Sequence, residues 1–245
     1  LHCGGITPLP EQHTQKEMAL SKFVSLLKQI KGLPVAAICL DHSVEGNRLF
    51  RHFTKRHPRF PVFRYKTIGV ALIDRKPFSN GEEYVKSVNG KNSAAYFMRK
   101  SVRAGYSFRH IDPIASTDAI YAVNISAEVR QGRVMDESYR NKFTDYPVNQ
   151  NNSYYGVFLN EQLVAYLWVV RSGELAVLNR LLGHADHLNN GVMYHLVTGF
   201  VEQEFSSGSS VKYVMYDTFF GATEGLKMFK QRCGFKPWRV KWKQS

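Results

Sequence analysis

Arg130 and Arg133, with Gly132 between them and Tyr139 following, make a dense polar cluster midway along the chain. A glycine there allows a sharp turn that would present both guanidiniums outward, where their planar forks can grip a carboxylate or a phosphate. The same residues could equally form a solvated surface turn. A second basic stretch, residues 48–60 (RLFRHFTKRHPRF), interleaves Arg and Lys with Phe and His. Cations and rings in alternation suit a nucleic-acid backbone, with charges on phosphates and rings on unpaired bases. An amphipathic helix with Leu49, Phe50 and Phe53 in the core and a solvated basic face accounts for it as well.

The composition sets bounds on the partners. The chain of 245 residues carries 33 Lys and Arg against 20 Asp and Glu, a net charge of +13. Such an excess concentrates anions at the surface and favours RNA, an acidic carrier protein or a phosphorylated substrate. Hydrophobic residues at 44% and aromatics at 13% argue against disorder, and no apolar run is long enough to span a bilayer. Cys3, Cys39 and Cys233 are odd in number and widely spaced. They imply neither a disulfide framework nor a zinc site, so a reducing, cytoplasmic setting is expected. Asp41-His42 and Asp186-His187 lack metal-ligand spacing, so no metal is expected. The absence of a GxxxxGK[ST] loop and of a GxSxG elbow lowers the odds on a P-loop nucleotide hydrolase and on a serine hydrolase. The start, LHCGG, lacks Met and any signal-peptide pattern, which predicts a trimmed or processed end.

These groups need elements to hold them. Residues 7–31 carry an apolar stripe of Met18, Phe23, Leu26, Leu27 and Ile30 that predicts a first helix, stopped at Gly32-Leu33-Pro34. A buried strand is expected over 35–40, and one or two strands over 62–73 with a bulge or turn at Gly69. A helical pattern from Glu82 is interrupted at Asn89-Gly90 and continues to Gly105, and a strand follows over 106–111. Ser116-Thr117-Asp118 cap a helix expected to run on through residues 125–140. Residues 145–153, polar and turn-rich, read as a link to the last third.

In that last third, residues 154–159, 163–170 and 175–182 predict three meandering strands. Asn189-Asn190-Gly191 then opens a helix bearing Val192, Leu196, Phe200 and Val201 at helical spacing, and a strand is expected over 211–218. A helix over 223–232 stops at Cys233-Gly234, followed by an aromatic strand over 235–242.

That order, with the ending GLKMFKQRCGFKPWRV, resembles the C-terminal half of the GNAT acyltransferase superfamily. More narrowly it is similar to the Fem-type peptidyl transferases, which repeat a GNAT-like unit twice and end in a short helix carrying Phe-Lys before a Gly-Phe strand. The resemblance covers residues 78–242. It implies an α/β (α+β) fold, a GNAT-like mixed sheet flanked by helices, in two GNAT-like lobes. Residues 1–148 would bind substrate or polyanion, and residues 149–245 would carry acyl transfer.

The resemblance also implies a site. Phe229 and Lys230 match the Phe-Lys of the Fem-type acyl-transfer site, where the lysine stabilises charge; a C-terminal helix lysine favoured by the helix dipole is the alternative. Leu226 and Phe229 supply the core face of so short a helix, which leaves Lys230 beside it, half-exposed at the cleft edge. Tyr216 and Asp217, ending the preceding strand, would face the same cleft and take or relay a proton, or else form a strand-end turn. Arg99 and Arg103, with Lys100, occupy the place of a basic Fem-type helix and could neutralise a phosphate or carboxylate, or be solvated.

The donor is read from the start of the central helix. Acetyl-CoA-dependent members have Gln/Arg-x-x-Gly-x-Gly/Ala there, whose N–H groups and helix dipole hold a pyrophosphate. Here residues 188–193 read LNNGVM, which keeps Asn190 and Gly191 as donor-binding candidates but loses the basic or amide residue and the second small one. Met193 would crowd a pyrophosphate. The expected co-substrate is aminoacyl-tRNA, with acyl-CoA or an acyl carrier protein as the alternative and no tightly bound cofactor. The expected function is an acyltransferase moving an aminoacyl group from aminoacyl-tRNA to an amine acceptor. Its alternatives are an N-acyltransferase and a non-enzymatic nucleic-acid-binding module on the same scaffold.

Overall fold

The computed structural model describes residues 30–57, 64–130 and 133–245. The expected first helix up to residue 29, the end of the basic stretch (58–60), the start of the expected strand at 62, and the Arg133 side chain lie outside the described residues.

Among the described residues, helical backbone at 30–32 is followed in order by ten strands and seven α-helices: β1 (Val35–Leu40), α1 (Val44–Thr54), β2 (Ile68–Asp74), α2 (Gly81–Ser87), α3 (Ala94–Arg103), β3 (Ser107–His110), α4 (Thr117–Ile125), β4 (Val129–Arg130), β5 (Arg133–Val134), α5 (Glu137–Arg140), β6 (Asn152–Leu159), β7 (Gln162–Ser172), β8 (Leu175–Gly183), α6 (Val192–Ser206), β9 (Tyr213–Thr218), α7 (Glu224–Arg232) and β10 (Lys236–Gln244). A 3-10 turn, Ala185–Asn190, leads into α6. Eight strands form one mixed sheet in the order β1-β10-β2-β9-β8-β7-β6-β3, and β4 and β5 form a small separate hairpin.

The meander β6-β7-β8 is antiparallel because its turns are short; Asn160 and Glu161, at φ 46° and 64°, make the first of them. From β8 the chain crosses through α6 and returns parallel as β9, as a strand-helix-strand crossover allows. β7 is buried from Leu163 to Val170 because helices cover both faces of the sheet. One core layer joins α2, α3 and α6 to the sheet through Tyr84, Leu196, Phe200 and Phe205. The other joins α1 and α4 through Leu49, Phe53, Ile120 and Val123. Each buried Leu, Val, Ile or Phe contributes roughly 1.5–3 kcal/mol.

The expected boundary between residues 148 and 149 runs through this sheet. β10 pairs with both β1 and β2, so strands from the two sides interleave. The supposed link at 145–153 is tied down as well: Tyr146 is buried, and Asn149 and Asn152 both donate to the Glu45 carboxylate of α1. The helix expected to run through residues 125–140 stops at Ile125. β-Branched Val129 and Val134 prefer extended backbone, and they pair with each other across the hairpin.

Candidate active site

The parallel pairing of β8 with β9 ends at Val177 and Met215, while β8 continues beside β7 to Gly183. At Asn179, which is exposed, the β7–β8 ladder shifts register by a bulge. The two parallel strands therefore part towards their carboxyl ends, where sheets of this kind place their ligand crevices. A cleft of about 320 Å³ lies at the end of β9, lined by residues that include Tyr65, Lys66, Arg130, Asp217, Thr218 and Lys230.

Lys230 reaches the cleft from α7. Thr223 caps that helix by accepting from the Leu226 N–H at 3.4 Å. The resulting rotation turns Lys230, not Leu226 or Phe229, into the sheet: its side chain is 1% exposed, whereas those two are half-buried. The half-exposed lysine expected from the helix pattern is thus corrected. Its Nζ donates to the Thr218 carbonyl at 2.7 Å and lies 4.8 Å above the Tyr216 ring. Burial lowers its pKa to about 8; Asp217 opposes the fall and Lys66 adds to it. At neutral pH it is still roughly nine-tenths protonated. The result is an ammonium in a dry wall.

Asp217, the last residue but one of β9, has φ 55°, on the left-handed side that Asp and Asn adopt more readily than other non-glycine residues. Its carboxylate projects into the cleft and forms an ion pair with Lys66, whose side chain is 14% exposed against 58% for Asp217. Lys66 in turn lies 4.5 Å above the Tyr65 ring. This loop is held against β9 through Gly69, at φ 66°, whose carbonyl accepts from the Phe219 N–H at 2.7 Å. A side chain at Gly69 would collide with the Phe220 ring, so the bulge expected there has a structural cause. Tyr216 sits beneath, its ring 6.3 Å from Phe229. Burial raises its phenol above the ordinary value, so it keeps its proton at neutral pH.

The expected substrate-binding set does not converge. Arg130 lines the cleft, but its guanidinium faces inward, donating to the Gly183 carbonyl at 2.6 Å, the Val123 carbonyl at 2.9 Å and Ser126 Oγ at 2.8 Å. It is therefore a brace between α4, the hairpin and the end of β8, in place of the outward fork expected. Arg99 donates to Asn89 Oδ1 at 2.7 Å, Arg103 is exposed at the end of α3, and the Tyr139 ring lies under Arg180 at 4.5 Å. None of these three lines the cleft.

The donor candidates do not line that cleft. Asn190 Nδ2 donates to the Tyr106 hydroxyl at 2.9 Å, and Lys100 Nζ donates to the Asn189 carbonyl at 2.9 Å. Gly191, at φ 78°, begins α6 so close to α3 that a Cβ there would lie 2.6 Å from the Phe97 carbonyl. Met193 covers the end of β8, its sulfur 2.6 Å from where a Cβ on Gly183 would stand.

Sequence reasoning missed Lys66 and Tyr65. The signal present was a basic-aromatic pattern that continues past residue 60 as RYK. Among the described residues no cluster of His, Cys, Asp and Glu is placed to hold a metal, and no helix is long and apolar enough to cross a membrane.

The mixed sheet flanked by helices, with two central parallel strands that part beside the cleft, is a GNAT-like fold. No protein-family model and no curated protein matches the chain. Among solved structures it is similar to FemX, at 8% identity with a TM-score of 0.53 over 69% of this chain and 59% of that one. It is also similar to the C-terminal domain of a putative lysylphosphatidylglycerol synthetase from Agrobacterium fabrum, at 13% identity and TM-score 0.48 over 70% and 58% of the two chains. A tandem GNAT protein from the clavulanic acid biosynthesis pathway aligns at 18% identity and TM-score 0.44 over 70% and 50%. The chain spans less than two thirds of the length of each of these structures. What it shares with FemX at this identity is the fold.

Proposed function

We propose that the protein is a Fem-like acyltransferase that moves an aminoacyl group from aminoacyl-tRNA to an amine acceptor. The observation that carries the reading is Lys230, a buried ammonium opening on a cleft at the end of β9. In the reaction the amine attacks the ester carbonyl and forms a tetrahedral oxyanion, which the Lys230 cation offsets by roughly 2–4 kcal/mol, as a single oxyanion-hole donor does. The Asp217 carboxylate takes the proton the amine sheds; the acyl C–O bond then breaks, and Asp217 returns that proton to the ribose oxygen of the tRNA, which leaves as the hydroxyl.

The basic face of α1 supports a polyanionic donor. Arg48, Arg51, Lys55 and Arg56 are exposed, and Lys55 lies 4.8 Å from the Tyr65 ring at the cleft wall. Leu49 and Phe53 are buried beneath, so the amphipathic helix and the cationic surface weighed as alternatives are two faces of one element. In this reading residues 1–148 carry the polyanion surface and residues 149–245 the acyl-transfer lysine, and the two meet at Lys66 and Asp217.

The test is co-purification at low salt followed by titration. Bound tRNA whose affinity falls steeply with added salt, and weakens on charge reversal at Arg51, Lys55 and Arg56, supports the reading. A co-purifying acyl thioester would reassign the donor to coenzyme A or an acyl carrier protein. Salt-insensitive binding, or none to either donor, would overturn it.

A further inference from the structure

The cleft has an excess of positive charge held in check by one contact. Lys66 and Lys230 both reach it, with Arg130 and His57 in its wall, and Asp217 is the one acidic residue among the described residues that line it. Asp217 is held there from two sides: its backbone turns at positive φ near the end of β9, and its carboxylate is more than half exposed yet closed onto Lys66. An exposed carboxylate closed onto a withdrawn ammonium at the mouth of a cleft points to a role for the contact it makes. The Lys66 ammonium, by contrast, is largely withdrawn from water and rests over the Tyr65 ring. A cation so placed needs an anion close by, and in the structure Asp217 supplies it.

We propose that Lys66, with Lys230 behind it, is the subsite for an anionic group of the substrate, a phosphate or a carboxylate, and that Asp217 occupies this subsite until the substrate's anion takes its place. The exchange deepens the acyl-transfer reading and rests on it. An incoming anion takes over the ion pair with Lys66, and the Asp217 carboxylate, released at the mouth of the cleft, becomes free to accept the proton of the attacking amine. Binding of the correct substrate and arming of the base are then one event. A neutral substrate would leave Asp217 paired and would turn over slowly even when it fits the cleft.

Lys230 does not serve alone as the anion site, because its Nζ is spent in part on the Thr218 carbonyl and only 1% of the residue is exposed, a narrow opening on the cleft. Arg130 cannot either, since its guanidinium is committed to Gly183, Val123 and Ser126. Lys66 is the cation of this wall whose partner, Asp217, stands on the solvent side.

The test is a calorimetric titration of the purified chain with inorganic phosphate and, separately, with acetate, at fixed low ionic strength. It is run on wild type, Asp217→Asn, Lys66→Met and the double variant. Asparagine tolerates the left-handed backbone at position 217, so Asp217→Asn keeps the strand end in place. The expected result is that Asp217→Asn tightens binding of one of the two anions by tenfold or more, and that the same substitution changes nothing in the Lys66→Met background. Tightening with phosphate alone assigns the subsite to a phosphate, and tightening with acetate alone assigns it to a carboxylate. Should Lys66→Met fail to fold, Lys66→Gln serves in its place. An Asp217→Asn affinity within twofold of wild type for both anions overturns the proposal. So does equal tightening with Lys66 removed, since that is a general effect of net charge. No acyl donor enters the titration, so its failure would leave the acyl-transfer reading standing, and loss of that reading would leave the anion subsite intact.

Discussion

Lys230 Nζ donates to the Thr218 carbonyl across 2.7 Å from a side chain that is 1% exposed, so α7 is joined to the end of β9 by a buried ammonium. Among the described residues no carboxylate forms an ion pair with it. The nearest compensation is the carbonyl dipole and the faces of Tyr216 and Phe219, with ring centres at 4.8 Å and 5.8 Å. Such a group costs stability while it is charged.

The cost has a pH signature. The folded-state pKa of Lys230, about 8, lies below its ordinary 10.5, so between these values the native chain binds fewer protons than the unfolded chain and stability rises with pH. Below about 8 the penalty is present in full; by 10.5 it is gone. Lys230→Met removes it, so the stability difference between the variant and wild type should shrink by about 2–3 kcal/mol from pH 7 to pH 10.5. Urea denaturation at the two pH values measures this. A difference that does not change with pH would place the ammonium in water.

Turnover should follow the same proton with the opposite sense. If the cation offsets the oxyanion, kcat falls as pH rises through about 8, where Lys230 loses its charge. Lys230→Met should lower kcat by about 10² or more and abolish that alkaline limb, while Lys230→Arg, which stays charged, should move the limb to higher pH if its bulk is accommodated. Wild-type kcat in Lys230→Met would remove Lys230 from the chemistry.

Arg130 is expected to matter for architecture. Its guanidinium satisfies the Val123 carbonyl at the end of α4 and the Gly183 carbonyl at the end of β8 at the same time. Arg130→Met removes the side-chain donor of the Gly183 carbonyl, while the Val123 carbonyl keeps Ser126 Oγ, and should cost about 1–3 kcal/mol, seen as a lowered thermal midpoint. Arg130→Lys should recover less than half, because one ammonium cannot span the acceptors a planar fork reaches. Full stability in Arg130→Met would return Arg130 to the solvent-facing role expected from its sequence neighbourhood.

Much of the C-terminal third was legible because its determinants are local. The alternating and continuous apolar runs of β6, β7 and β8, the spacing of Val192, Leu196, Phe200 and Val201 on α6, and Gly234 after α7 act over a few residues each. The middle of the chain was less legible. β-Branched Val129 and Val134 were read as part of a helical run, although they favour the extended pairing that forms between them. The Phe-Lys pair was found in sequence, yet its burial was inverted: which flank of a nine-residue helix faces the sheet depends on the packing of Phe229 against Tyr194 and Tyr216.

By itself, then, the sequence determined the kinds of element, their order and the surplus of cations, because propensity, periodicity and charge are properties of neighbouring residues. Only the tertiary structure decided where the cations meet an anion. Lys66 and Asp217 stand 151 positions apart. They come together because β2 pairs antiparallel with β9, with Val70 opposite Thr218, a register set by the whole sheet. The same holds for the insertion of β10 between β1 and β2, which joins early and late strands in one sheet. Pairing between distant strands is chosen by the shared core that buries them, and no local pattern in a strand names its neighbour.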